Sequence, residues 1–173
     1  FVLLLLEDFK MWLDWNRKDG TFFDREGVSL LAYAVCSNNL QVAKHILDEV
    51  GENLRNDTVE KQRRIESRIS KDGYLHFGIP GSCTALIGAM TLASPEMVQL
   101  LLKNGADAYA TEISGNNPLM CACAFNRVDN VKFWLKEFPD WNLEARNMTV
   151  GGVALGVAAF MGPNRLELVQ LLI

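Results

Sequence analysis

Cysteine and histidine are the residues of this chain whose side chains could bind a metal ion or act as nucleophiles. The four cysteines and two histidines are Cys36, Cys83, Cys121, Cys123, His45 and His76. No two cysteines form a CxxC pair, and no cysteine–histidine set has the spacing of a zinc site. Cys121 and Cys123 stand two positions apart on a predicted helix, which points their side chains about 200° apart. The sequence therefore predicts no metal site and indicates reduced thiols in the core.

Catalytic arrangements are also lacking in the sequence. His45 falls on a predicted helix where a packed or partly buried imidazole is ordinary, and His76 leads into a turn. No glycine-rich loop is followed by the Lys-Ser/Thr of a phosphate-binding loop, and the acidic residues are scattered rather than paired. We therefore predict no enzyme activity, no cofactor and no small-molecule substrate. Redox sensing through Cys83 and Cys121 is a weaker hypothesis, which requires thiols of low pKa.

The overall composition is that of an ordinary folded protein, with 49% hydrophobic and 22% charged residues among 173. The net charge of −4 argues against nucleic-acid binding, which usually requires a basic surface. The apolar run Phe1–Leu6 ends at Glu7, so it is too short to span a membrane, and it lacks the basic start of a signal peptide. We predict no direct membrane insertion, and the reduced cysteines indicate an intracellular, cytoplasmic location.

A repeated pattern organises most of the chain. Ser82 and Gly115 begin two copies 33 residues apart, and each is followed by Leu at position +4, Ala at +7 and an apolar triplet at +18 to +20. Gly27 and Gly151 begin two further copies of the pattern. A fixed period of this length indicates a stacked array of repeats that share one continuous core.

Each copy reads as a helix–turn–helix unit. Glycine at the first position allows a tight turn with positive φ, and a polar residue two positions later can cap a helix, as at Ser29, Thr84 and Asn117. Pro118 stands at the first helical position, where its missing N–H does no harm. Asn126 can end the first helix because asparagine tolerates the left-handed conformation. The second helix carries the apolar triplet, so the unit has an apolar face that it cannot bury alone.

These features resemble the ankyrin repeat family. The family pattern of Asp-x-x-Gly-x-Thr-Pro-Leu-His, two Ala, three Leu and Gly-Ala-Asp is matched in part by Asp24–Leu31, Leu100–Asp107 and Asn117–Leu119. The resemblance implies an all-α fold, an α-solenoid of stacked helix–turn–helix repeats with a charged insertion after the first complete repeat. The family His after Pro-Leu is replaced in every copy, by Ala32, Ile87, Met120 and Gly156. We therefore expect the hydrogen bonds of that His to be lost and the array to be less stable than an idealised one.

The spacing of the copies predicts the boundaries of the repeats. We expect a truncated or atypical repeat at 1–23, ankyrin-like repeats at 24–51, 79–111, 112–147 and 148–173, with the last one truncated, and a partly helical insertion at 52–78. Phe1 and Ile173 both fall in apolar runs, whereas arrays of this type usually end in polar caps. This pattern favours a segment of a longer polypeptide, or an array capped by another chain.

The predicted insertion is dense in charges of both signs. Asp57 can cap a helix, Glu60 and Arg64 form a favourable i,i+4 pair, and Ile65 and Ile69 share one face. The pattern favours a solvated helix that its two isoleucines hold against the array. The alternative is a helix that binds a partner or a phosphate group through three arginines, Arg63, Arg64 and Arg68.

The resemblance also implies where a partner binds, because ankyrin arrays use the turn tips and the exposed side of the first helices, which line a concave face. The corresponding residues, which we predict to contact a partner, are Arg25, Glu26, Tyr33, Ser37, Leu92, Glu112, Ile113, Asn116 and Phe125. The apolar members are Tyr33, Leu92, Ile113 and Phe125. They form an exposed strip of interface anchors, or they pack under a neighbouring loop such as the insertion.

Two tryptophans near the third copy complete the set of candidates. Trp134 belongs to an apolar triplet and is predicted in the core, whereas Trp141 either holds its loop in place or is an exposed anchor. The function implied by the resemblance is binding of another protein on the concave face of a scaffold, which can be a subunit of a larger assembly. The alternative is a regulatory or targeting segment of a larger enzyme or membrane protein whose active part lies elsewhere.

Overall fold

The computed structural model describes residues 29–68 and 78–173, and helices form the framework of this part of the chain. The nine helices in these ranges are α1 (Leu30–Cys36), α2 (Leu40–Asn53), α3 (Thr58–Ile65), α4 (Ala85–Leu92), α5 (Pro95–Lys103), α6 (Pro118–Ala124), α7 (Val128–Glu137), α8 (Ala154–Phe160) and α9 (Leu166–Leu171). Helices α1, α4, α6 and α8 contact one another in that order, and α2, α5, α7 and α9 form a second row. We call the pairs α1–α2, α4–α5, α6–α7 and α8–α9 the first to fourth layers. The predicted all-α solenoid of helix pairs is confirmed.

The capping residues determine where the first helices begin. Side-chain oxygens of Ser29, Thr84 and Asn117 accept hydrogen bonds from the backbone N–H groups three residues further on, at 3.1, 3.3 and 2.9 Å. These bonds satisfy N–H groups that have no partner within the helix. Pro118 is the first residue of α6, as predicted. The fourth layer differs, because Val153 precedes α8 and supplies no side-chain cap.

The turns between layers depend on residues with positive φ. Gly115 and Gly151 have φ angles of 79° and 64°, and Ser82, at the same position of its repeat, has a φ of 61°. A Cβ atom at Gly115 would lie 2.7 Å from Cγ and 2.8 Å from N of Met148, so glycine is required for space as well as for conformation. Asn126 follows the end of α6 with a φ of 57°, as the sequence predicts.

Equivalent residues of successive layers share one core. Leu31, Leu86 and Leu119, each four positions into its repeat, are buried, and Leu155 at the same position of the fourth layer is half-buried. Trp134 is fully buried, which confirms its predicted place in the core. Burial of a leucine at the same position of successive repeats is expected when similar helix pairs stack on one another.

The second and third layers are joined by polar side chains of the later layer. Asn130 of α7 is only 1% exposed, and its Nδ2 lies 3.2, 3.1 and 3.0 Å from the carbonyl oxygens of Ala89, Met90 and Ala93 at the end of α4. Arg127 also donates to the Ala93 carbonyl, at 2.7 Å. The carbonyl of Ala89 also accepts from the N–H of Ala93 at 2.9 Å, whereas carbonyl groups beyond it have no partner within the helix, so these donors complete α4.

The third and fourth layers are joined in the same way. Arg165, which precedes α9, donates hydrogen bonds to the carbonyl oxygens of Cys123 and Ala124 at the end of α6. The ends of α4 and α6 are thus each completed by the following layer. Arginine and asparagine donors therefore join these layers from positions other than those at which the family histidine is replaced.

Helix α3 lies in the predicted insertion and contacts α2. Asp57 caps its start, since its Oδ1 accepts a hydrogen bond from the N–H of Glu60 at 2.9 Å. Ile65 is buried, so it holds the helix against the array. Ile69, the second predicted anchor, lies outside the described residues. The predicted packing of α3 through Ile65 is confirmed.

The arginines near α3 contact the protein itself. Arg63 and Arg64 form ion pairs with Glu60 at 2.7 and 3.0 Å. Arg68 donates to two backbone carbonyls in the turns of the array, those of Ser82 and Thr111, at 2.8 and 2.6 Å. These contacts favour a structural role for the insertion over binding of a phosphate group.

Two further hydrogen bonds join the insertion to the loop after α5. Gln62 Nε2 donates to the carbonyl of Gly105 at 2.9 Å, and Glu66 Oε1 accepts from the N–H of Asp107 at 2.7 Å. Burial raises the pKa of the Glu66 carboxyl. The insertion is therefore bound to a loop more than 40 positions along the chain.

Candidate partner-binding surface

The first helices of the layers, α1, α4, α6 and α8, which we call the inner helices, present a row of half-buried apolar side chains. Tyr33 of α1, Leu92 of α4 and Phe125 after α6 pack against a small buried cluster. The cluster consists of Ala32, Ile79, Cys83, Ile87 and Cys121. Because Ile79 comes from the stretch after the insertion, the chain fills part of its own inner face. Only part of each predicted anchor is accessible, so these three residues are packed against the array and do not form a freely exposed strip.

The two cysteines of this cluster lack the properties of redox sensors. Burial raises the pKa of the Cys83 thiol to about 12 and that of the Cys121 thiol well above its ordinary value. Cys83 Sγ also donates a hydrogen bond to the carbonyl of Pro80 at 2.8 Å. A thiol that stays protonated at neutral pH is a poor nucleophile. The burial of both thiols and their raised pKa values therefore argue against redox sensing through Cys83 and Cys121.

Glu112 organises the turn between the second and third layers. Its side chain is buried, at 2% exposure, and its carboxylate accepts hydrogen bonds from Ser114 N at 2.8 Å, Asn116 N at 3.0 Å and Asn116 Nδ2 at 2.6 Å. A carboxylate needs several donors when it is removed from water, and this turn supplies three. The prediction that Glu112 contacts a partner is therefore corrected, since its carboxylate points into its own turn.

The same hydrogen-bond network continues into the next turn. Asn116 Oδ1 accepts a hydrogen bond from Asn147 Nδ2 at 2.9 Å, and Asn147 Oδ1 accepts from the N–H groups of Val150 and Gly152 at 3.1 and 3.2 Å. Both asparagine side chains are thus used within the array. The two turns are therefore held in a fixed position relative to each other.

Exposed apolar side chains stand on these two turns. Ile113 is 52% exposed, and Met148 and Val150 are 78% and 79% exposed. The turns are adjacent, because Met148 N donates to the carbonyl of Ser114 at 3.1 Å, and Ile113 N donates to that of Gly81 in the preceding turn at 3.3 Å. We call Ile113, Met148 and Val150 the tip residues.

Trp141 holds its loop to the array. Its ring stacks on Tyr109 with centroids 5.0 Å apart and meets the ring of buried Trp134 edge-on, also at 5.0 Å. Phe138 adds a third aromatic neighbour at 5.6 Å. Trp141 is half-buried in this group, so it holds its own loop in place and is not an exposed anchor.

Comparison with known families agrees with this architecture. A family model described as ankyrin repeats, in three copies, matches residues 85–173, which is just over half of the chain. The chain belongs to the ankyrin repeat family. Ankyrin repeats are generally protein–protein interaction modules, and domains built from them are typically not catalytic. Among curated proteins, no significant match to the chain was found.

The turn tips of this ankyrin array include two residues that sequence reasoning missed. Met148 and Val150 lie where the spacing between Gly115 and Gly151 exceeds one period by three residues, and this longer spacing was the available signal. Of the predicted contacts, Ser37 is exposed and its hydroxyl donates to the Tyr33 carbonyl at 2.8 Å. Other candidate residues lie outside the described ranges, namely Arg25, Glu26 and His76.

Other kinds of site were sought in the same part of the ankyrin array. His45, expected to be packed or partly buried, is exposed on α2. Within residues 29–68 and 78–173, no group of three or more His, Cys, Asp or Glu side chains could hold a metal ion. No helix in these ranges combines the length and the apolar character that crossing a membrane requires.

Proposed function

We propose that this ankyrin array is a scaffold that binds a partner protein through its turn tips. The observation that carries the proposal is the row of exposed apolar tip residues, Ile113, Met148 and Val150, on two adjacent turns. Exposed apolar side chains grouped among polar residues are typical of interaction sites. Because hydrogen bonds already hold both turns in place, little conformational freedom remains to be lost on binding.

The inner helices form the edge of the proposed surface. Their half-buried side chains leave part of each ring or aliphatic group accessible. Contacts of these side chains with a partner should therefore contribute less binding free energy than contacts of the tip residues. The predicted contacts that remain in the proposal are Tyr33, Ser37, Leu92, Ile113, Asn116 and Phe125, together with Arg25 and Glu26 outside the described residues. The four cysteines are free, which supports the intracellular location predicted from the sequence.

Site-specific photo-crosslinking in cells tests this proposal. A photoreactive amino acid replaces Met148 in one variant and Val59 of α3 in a matched control, since both side chains are 78% exposed. We expect an adduct with a distinct partner at Met148 and none at Val59. Val150→Asp should weaken that adduct at least about tenfold, because it removes an apolar contact and places an unpaired carboxylate in the interface, at a cost of more than about 1.4 kcal/mol.

Two results would contradict the proposal. One is equal labelling at Met148 and Val59, which would indicate random encounters. The other is an adduct at Met148 that Val150→Asp leaves unchanged while the variant remains folded by circular dichroism. Either result would show that the tip residues do not form one binding surface.

A further inference from the structure

The methionine side chains differ widely in their access to solvent. Five of the six methionines lie in the described part of the chain, and Met11 lies outside it. Met148 on the turn tips is 78% exposed, and Met161 after α8 is 48% exposed. The other three are fully buried, namely Met90, Met97 and Met120. Within the described residues, Met148 is therefore the methionine most open to a dissolved reagent.

The cysteine thiols are protected from oxidation in a way that the thioether of Met148 is not. Oxidation of a cysteine by peroxide requires the thiolate. Burial raises the pKa of all four thiols, to about 12 in Cys36, Cys83 and Cys123 and well above the ordinary value in Cys121. A thioether carries no titratable proton, so access to the sulfur atom decides how fast it is oxidised. At neutral pH, peroxide should therefore oxidise Met148 before it oxidises a cysteine.

The neighbouring turn fixes the inner part of the Met148 side chain. Met148 N donates a hydrogen bond to the Ser114 carbonyl at 3.1 Å. Its Cβ and Cγ lie over Gly115, where an added Cβ atom would come within 3.0 and 2.7 Å of them. Because this inner part is packed, the thioether end provides most of the exposed surface of the side chain. The sulfur atom of Met148 is thus held on the tip surface and open to solvent.

We propose that Met148 is a site of reversible oxidation that weakens binding at the turn tips. Hydrogen peroxide transfers one oxygen atom to Sδ, which becomes a sulfoxide, and the peroxide leaves as water. The sulfoxide is polar, so it interrupts the apolar surface that the tip residues share. A methionine sulfoxide reductase restores the thioether with two thiols, which are oxidised to a disulfide while the oxygen leaves as water. The effect on binding rests on the proposed function of the tips, whereas the selective oxidation does not.

Peptide mapping by mass spectrometry tests the oxidation itself and requires no partner. The folded chain is treated with dilute hydrogen peroxide at neutral pH, and the oxygen gained by each methionine is followed over time. We expect Met148 to be oxidised at least about tenfold faster than the three buried methionines, whose reaction requires local opening, and Met161 to react at an intermediate rate. Equal rates at exposed and buried methionines in a chain that circular dichroism shows to be folded would overturn the proposal. Oxidation of a cysteine before Met148 would also overturn it.

Photo-crosslinking then tests the effect of oxidation on binding. The photoreactive amino acid is placed at Ile113, which leaves Met148 in the chain, and the oxidised and untreated proteins are irradiated in the same cell extract. Oxidation should weaken the adduct at least about fivefold, because a covered sulfoxide loses its hydrogen bonds to water, and the reductase should restore it. Met148→Leu keeps a similar apolar volume and cannot be oxidised, so its adduct should resist peroxide. Met161→Leu is the matched control and should remain as sensitive as the parent.

The possible results separate this proposal from the proposed function. Absence of a distinct adduct from the untreated chain would refute the proposed function and, with it, the control of binding by oxidation. An adduct that is undiminished after Met148 has been oxidised would overturn the present proposal alone. Loss of the adduct in Met148→Leu as complete as in the parent would do the same, because a different residue would then be responsible.

Discussion

Asn130 provides the most direct test of how the layers are joined. Asn130→Ala removes an amide whose Nδ2 lies within 3.2 Å of three carbonyl oxygens, those of Ala89, Met90 and Ala93. The amide has two protons, so about two full hydrogen bonds are lost. A hydrogen bond contributes about 0.5–1.5 kcal/mol net, and a buried group left without a partner costs about 1–3 kcal/mol. Arg127 still donates to Ala93 and the N–H of Ala93 still donates to Ala89, so Met90 is the one of the three carbonyls left without its donor, and we expect a loss of about 2–4 kcal/mol.

Urea unfolding followed by circular dichroism measures this loss. Asn104→Ala is the control, because Asn104 Nδ2 makes one hydrogen bond, at 2.9 Å, to Leu100 in its own layer. The control should cost about 0.5–1.5 kcal/mol. Asn130→Asp keeps the size of the side chain but removes the donor, so it should destabilise at least as much as Asn130→Ala. A tolerated Asn130→Asp, or a cost no greater than that of the control, would refute the reasoning.

Three further predictions concern the turns, the thiols and the insertion. Ser82→Gly should raise the free energy of unfolding by about 0.5–1 kcal/mol, because glycine adopts the left-handed backbone at this position without strain. Gly115→Ala at the equivalent position of the next repeat should lower the free energy of unfolding by more than about 1 kcal/mol. Changes of the same sign in urea unfolding would contradict this prediction. Burial raises the pKa of Cys83 to about 12 and that of Cys121 well above its usual value. A thiol reagent at neutral pH should therefore label neither cysteine until the protein is unfolded. Labelling of the folded protein at the rate of a free cysteine would count against this prediction. Hydrogen bonds from its two arginine neighbours lower the pKa of the Glu60 carboxyl from 4.5 to about 2, so its contribution to stability should be complete above pH 4.5 and lost as the pH falls towards 2. The difference in unfolding midpoint between Glu60→Gln and the parent should shrink over that range, and a pH-independent difference would disprove the assignment.

The sequence was sufficient to predict the layered fold. The period places Leu31, Leu86 and Leu119 at one offset, and a constant offset on similar helix pairs leads to a shared core. The caps at Ser29 and Asn117 were also predictable, because capping depends only on residues within one turn of the helix. Local chemistry and periodicity therefore account for the architecture.

The candidate surface was less predictable, since it depends on contacts between distant parts of the chain. A charged residue in a turn is usually solvated, but Glu112 is buried because the turn around it supplies three donors. The inner face is partly filled because Ile79 packs there after the insertion. Neither the path of the insertion nor the partners of one carboxylate follows from a repeat pattern.

The donors between layers give the array a direction. Asn130 supports the layer before its own, and Arg165 does the same one layer later. If the α8–α9 pair frays, α6 loses the arginine that completes it, and the weakened third layer then holds α4 less firmly. Thermal or mechanical opening should therefore spread backwards from the fourth layer, one helix pair at a time, so that a local disturbance there reaches the middle of the molecule.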